Sequence, residues 1–169
     1  MPEDEAVRRL HAQYAVARSL AESSSLKEAA GRILEAICGA LGWDYGGLWQ
    51  VDPAHGVLRC VETWYAPGLS FPEFEEVTRR LSFAPGIGLP GKVWATREPF
   101  YAPDVIDDPK FPRGAAVTRA GLHSALGFPI LMGTELIGVI EFFSREIGRP
   151  DAELLEMLAT VGSQVGQFA

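Results

Sequence analysis

The chain is expected to fold as an α+β sandwich built on one antiparallel sheet. Apolar residues recur at helical spacing near both ends of the sequence, whereas aromatic and β-branched residues alternate with period two in between. The strands fall into two pairs joined by short, turn-rich connections, which wires neighbours antiparallel. The order helix, helix, two strands, helix, loop, short strand, loop, two strands, helix segregates the element types instead of alternating them, as α+β chains do.

Residues 4–22 carry Val7, Leu10, Tyr14, Ala17 and Ala21 at alternating steps of three and four, a narrow seam suited to another helix. Ser23-Ser24-Ser25 interrupts it. Ser25 and Glu28 then form a capping box, opening a second helix that runs to about Leu41 and ends at Gly42. Leu26, Ala29, Ala30, Ile33, Leu34, Ile37, Cys38 and Leu41 give this helix the broad apolar face of one laid on a sheet. From Trp43 the period changes to two, and 45–51 and 57–65 are strands joined through Asp52-Pro53-Ala54-His55-Gly56. Phe74, Val77 and Leu81 predict a helix over 71–81. Residues 83–91 are a Gly/Pro-rich loop, a short helix lies within 88–97, and a brief strand covers 100–102. Residues 104–119 are expected to form a covering loop that enters a helix near 114–120. Strands 124–131 and 136–144 form a central hairpin through Met132-Gly133-Thr134-Glu135. A last helix opens at Pro150-Asp151 and carries Leu154, Leu158, Val161, Val165 and Phe168 at steps of four and three. That seam is still running at Ala169, which leads to the expectation that the chain is one piece of a longer protein.

The 169 residues have room for one domain, and 22 acidic against 15 basic residues give a net charge of −7. Basic residues cluster only at Arg8-Arg9 and Arg79-Arg80, so nucleic acid is not expected as a partner. No apolar stretch approaches the ~20 residues of a membrane span, and the acidic start MPEDEAVRRL is unlike a signal peptide; a cytoplasmic location without membrane contact is expected. Cys38 and Cys60 lack CxxC spacing and His11, His55 and His123 are far apart, so neither metal nor other cofactor is expected. No Ser/His/Asp or Cys/His set has supporting context, and the chain is expected not to be an enzyme.

Gly86-Ile87-Gly88-Leu89-Pro90-Gly91 matches GxGxxG, with Asp107 and Asp108 at the reach of an acidic ribose partner. A dinucleotide fold needs a buried parallel strand before those glycines, and residues 79–85 are no such strand. The glycines are expected instead to shape a tight loop before a helix. Cys38 and Cys60 look like small buried hydrophobes. Trp43, Trp49, Trp64 and Trp94, with Tyr65, Tyr101 and Phe128, fall near sheet edges and the covering loops, where aromatic walls serve either a small-molecule cleft or a plain core. Asp104 could join a polar rim, and His123 precedes a central strand. Glu141 lies amid Ile137-Gly138-Val139-Ile140 and Phe142-Phe143, where an inward carboxylate is costly unless paired.

Four segments in this order resemble bacterial members of the GAF domain family: Gly42-Trp43-Asp44-Tyr45-Gly46-Gly47-Leu48-Trp49; GIGLPGKVW at 86–94 continuing through Arg97-Glu98-Pro99 to Asp104; Ala120-Gly121-Leu122-His123-Ser124-Ala125-Leu126-Gly127-Phe128-Pro129-Ile130; and Gly138-Val139-Ile140-Glu141-Phe142-Phe143-Ser144. The resemblance covers about residues 20–168. It implies a GAF-like fold: a six-stranded antiparallel sheet, terminal helices packed on one face, and loops and short helices forming a pocket on the other. The departures are informative. The cyclic-nucleotide subgroup needs an Asn-Lys pair, and this sequence has no Asn. Bilin attachment needs a Cys in the loop before Ser124, and the methionine sulfoxide reductase members need pocket-loop cysteines; neither is supplied by Cys38 and Cys60. Of the histidines only His123 stands near the place used by haem-binding members.

The expected role is a non-catalytic, small-molecule-sensing and dimerising module regulating an attached output domain such as a histidine kinase; the alternative is a ligand-free dimerisation relay. Residues 1–22 would be a signalling and dimerisation helix and 23–169 the sensor domain. The expected ligand-binding residues are Trp49, Trp64, Phe83, Trp94, Tyr101, Asp104, His123, Phe128 and Glu141. The expected seam of a homodimer is Val7, Leu10, Tyr14, Leu154, Leu158, Val161, Val165 and Phe168.

Overall fold

A computed structural model describes residues 2–105, 111–147 and 152–168 of the chain. Its elements are α1 (Pro2–Ala21), α2 (Leu26–Leu41), β1 (Tyr45–Asp52), β2 (Val57–Tyr65), α3 (Pro72–Arg80), β3 (Ser82–Phe83), α4 (Gly88–Thr96), β4 (Phe100–Ala102), α5 (Gly114–Ala120), β5 (Ser124–Met132), β6 (Glu135–Ser144) and α6 (Ala152–Phe168). The expected helix start at Pro150-Asp151, and Asp107 and Asp108, lie outside the described residues. The strands form one antiparallel sheet in the order β3-β2-β1-β6-β5-β4, so the fold class is α+β as the sequence predicts. Among the described residues no helix is long and apolar enough to cross a membrane.

Strand alternation divides the sheet into two apolar faces. Leu48 on β1, Ile140 and Phe142 on β6, and Leu126, Phe128 and Ile130 on β5 meet the terminal helices in a core with Ile33, Leu34 and Ile37 of α2 and Leu158, Val161 and Val165 of α6. The other face, carrying Tyr45, Trp49, Val139 and Phe143, lies under α3, α4 and α5. At the start of α2 the Ser25 hydroxyl accepts from Glu28 N–H, as the capping box predicts. The reciprocal arm differs: the Glu28 carboxylate accepts from the amide and hydroxyl of Ser24.

Two expectations change. Residues Ser82–Phe83 are not simply loop but an edge strand, Leu58 pairing with Phe83 and Arg59 with Ser82. Two residues are too short a run for a period to show. The α6 half of the expected dimer seam belongs to the chain's own core: Leu158, Val161 and Val165 are fully buried against the sheet, and Leu154 and Phe168 pack on the same cluster. The cause is the close approach of α6 to β5, where a Cβ on Gly162 would collide with the Pro129 carbonyl and one on Gly166 with that of Leu131. The α1 half is different. Ala12, Val16 and Leu20 face the chain's own helices, while Val7, Leu10 and Tyr14 are 51%, 64% and 71% exposed on another side of the helix.

Candidate functional site

Glu141 is the polar residue at the centre of the covered face, and it is fully buried. Its neighbours across the sheet are both glycines, Gly47 on β1 and Gly127 on β5. That pairing makes the space. A Cβ on Gly47 would stand 3.2 Å from Glu141 Oε2, and one on Gly127 would press on Val93 and Leu89 of α4. In the room left by Gly47, Trp49 Nε1 donates to Glu141 Oε2 at 2.8 Å.

The partner that the sequence analysis missed is Arg113. It lies just before α5, its terminal nitrogens donate to both Glu141 oxygens at 2.7 Å, and it too is buried, at 1% exposure. Such a fork-to-fork pair fixes geometry as well as charge. Arg113 Nη1 also reaches Thr78 Oγ1 of α3 at 3.2 Å. Five aromatic rings, those of Trp49, Phe74, Phe83, Phe111 and Phe143, surround the guanidinium with centres 5.1–5.6 Å from its carbon. The signal for this pair was half present: an inward Glu141 demands a cation, and the segment that crosses its face supplies Arg113 and Arg119. Arg119 turns outward instead and pairs with Glu73 of α3.

Nearby titratable groups are held neutral by the same burial. The Tyr45 phenol is pushed well up, chiefly by desolvation. Desolvation, with a smaller contribution from Glu141, pushes the Cys60 thiol up to about 12. Among the described residues no group of three His, Cys, Asp or Glu is placed to hold a metal ion.

Of the residues expected to line a ligand site, Trp49, Phe83 and Glu141 come together around Arg113, and Trp94 packs on the neighbouring cluster with Val93. Asp104 and His123 meet each other at the start of β5, with His123 Nδ1 and Asp104 Oδ1 3.2 Å apart. Trp64, Tyr101 and Phe128 are not brought to this face; they pack on the opposite one with the terminal helices. For Phe128 and Tyr101 the reason is parity, because both share a side with Leu126. For Trp64 the reason is a β-bulge. Trp49 pairs with Cys60 but Leu48 with Glu62, so Val61 is the extra residue and the alternation reverses beyond it.

Clefts open on both sides of the sheet. One, about 270 Å³, lies between α3 and α5 and reaches Phe74, a ring of the Arg113 enclosure. A larger one, about 370 Å³, lies on the helix side by Trp43, Tyr101 and Leu154. Of its charged residues Glu5, Arg8 and Glu146 are exposed and Arg9 is half-buried, whereas the fully buried carboxylate and guanidinium meet at Glu141.

The glycines of 86–91 do the structural work expected of them. Gly86 N–H donates to the Gly91 carbonyl at 2.7 Å, and Gly88 has φ +67° with its α-carbon set against the Phe83 ring, so α4 starts close to the sheet. Among the described residues no parallel strand precedes them.

A family-level sequence profile described as "GAF domain" matches residues 23–168. Solved structures with the same fold include the GAF domain from a phosphoenolpyruvate-protein phosphotransferase of Coxiella burnetii, with TM-score 0.79 and 22% identity, covering 96% of this chain and 92% of that one. Another is the free methionine-R-sulfoxide reductase of Neisseria meningitidis in complex with its substrate, at 0.77 and 16%, covering 97% and 89%. A domain of a putative two-component sensor histidine kinase protein from Sinorhizobium meliloti follows at 0.63 and 23%, covering 86% and 90%. No curated protein matches the sequence. The reductases correct the expectation that this chain is not an enzyme, because enzymes share its fold and the architecture carries catalysis as well as regulation.

Proposed function

The chain belongs to the GAF domain family, a sensor and regulatory fold of signalling proteins, and from that premise we propose that it is a small-molecule-responsive module controlling an output domain attached through its terminal helices. The observation that carries this reading is the convergence on Glu141 of a buried guanidinium, an indole N–H and an aromatic wall, on the sheet face opposite the terminal helices. A buried charge pair is a poor device for stability alone, since well-packed apolar residues do as well or better. The sheet that holds Glu141 is the same one on which α6 lies, so a change at the covered face has a short mechanical route to the helix that would lead to an output domain.

Pairing of two copies belongs to α1 in this proposal. Its stripe of Val7, Leu10 and Tyr14 is exposed and distinct from the face used within the chain. Leu10→Glu combined with Tyr14→Glu is expected to convert a dimer to a monomer in sedimentation velocity while leaving the far-ultraviolet circular dichroism unchanged. A double variant that stays dimeric would overturn the α1 assignment. The relay reading draws on the dense packing around Arg113; it predicts the same dimer but no stabilisation by any small molecule.

A further inference from the structure

The enclosure around Glu141 is assembled from two sources. Trp49, Glu141 and Phe143 stand on the central strands, Phe74 on α3 and Phe83 on β3, whereas Arg113 and Phe111 enter from the covering segment before α5. Considered without its guanidinium, the box is a fully buried carboxylate walled by aromatic rings. Ring faces carry partial negative charge, so such a box attracts a cation and repels an anion. An anion would also have to strip Glu141 of its partner, leaving two like charges out of water. Arg113 is moreover an imperfect occupant: its Nε–H has no acceptor among the described residues. Solvent is near, because the cleft between α3 and α5 ends on Phe74.

We propose that this box is a recognition site for a small organic cation, a guanidinium or ammonium compound, and that Arg113 is the chain's own competing occupant. The inference rests on reading the covered face as the sensing site and names the chemistry that site selects. A ligand cation takes the Glu141 carboxylate and the rings, and Arg113 must leave. Occupancy is thereby coupled to the position of α5, and the competition multiplies the apparent Kd by the inverse of the fraction of time Arg113 spends out of the box.

The test follows the Trp49 indole N–H, which donates to Glu141, in nitrogen-15 spectra at constant ionic strength. The probes are methylguanidinium, methylammonium and acetate, each added to the wild type, to Arg113→Ala and to Glu141→Gln. Methylguanidinium is expected to shift the indole signal saturably in the wild type, to bind at least tenfold more tightly to Arg113→Ala, and to lose its effect in Glu141→Gln. If Arg113→Ala does not fold, the wild type and Glu141→Gln still decide whether a cation binds at Glu141, and Arg113→Lys, which keeps the charge but not the fork, takes its place in testing the competition. Equal affinity in wild type and Arg113→Ala would overturn the competition. A response to acetate alone would overturn the cation class while leaving the sensing face standing, and silence toward all three probes would overturn both.

Discussion

Removing one member of the Arg113–Glu141 pair strands a charge out of reach of water, whereas neutralising both does not. Arg113→Met alone is expected to lower stability by ~3–5 kcal/mol in urea denaturation. Adding Glu141→Gln, which keeps an acceptor for the Trp49 indole, is expected to restore most of that loss; no recovery would mean that packing, not charge, holds the site. At Cys60, burial pushes the thiol up to about 12, so the thiolate is scarce at pH 8. Alkylation of Cys60 is expected to be far slower than that of a free thiol at pH 8 and to rise about tenfold per pH unit up to the pKa. Fast labelling at neutral pH would contradict the burial that defines this face. Glu141 was legible in the sequence because a carboxylate in an apolar strand needs a partner. Arg113 was not, since it is 28 residues away and the pairing depends on how a covering segment crosses the sheet. Trp64 was placed on the wrong face because one extra residue at Val61 reverses the alternation, and nothing in the side-chain pattern of β2 announces it.

At the scale of elements, the long helices and both hairpins were legible because period and turn chemistry agree along their length. The bulge and the two-residue β3 were not, being set by pairing with a partner strand. The same limit explains the α6 seam: steps of three and four describe a helix against a helix and equally a helix laid on a sheet. What distinguishes the two here is the pair of small residues at Gly162 and Gly166, which let α6 sit on the carbonyls of Pro129 and Leu131. Gly162→Ala is therefore expected to lower stability by ~1–3 kcal/mol, the usual cost of overpacking, despite alanine's better helix propensity. Thermal unfolding measures it, and a stabilised variant would show that α6 does not rest so close to β5.

Across the whole molecule, one sheet separates two apolar layers with different proposed work: the terminal helices would join copies and neighbours, and the covered face would read a small molecule through Glu141. Periodicity and element order reached the fold class and the family resemblance reached the architecture, but the proposed ligand chemistry rests on a buried guanidinium among aromatic rings that no sequence pattern shows. A ligand held on this face must depend on Glu141. Native mass spectrometry of freshly purified wild-type and Glu141→Gln protein is the decisive experiment. A dimer carrying a low-mass adduct is expected in the wild type, and the same dimer without it in Glu141→Gln. A wild-type protein free of any adduct, or an adduct retained undiminished by Glu141→Gln, would contradict a ligand site on this face.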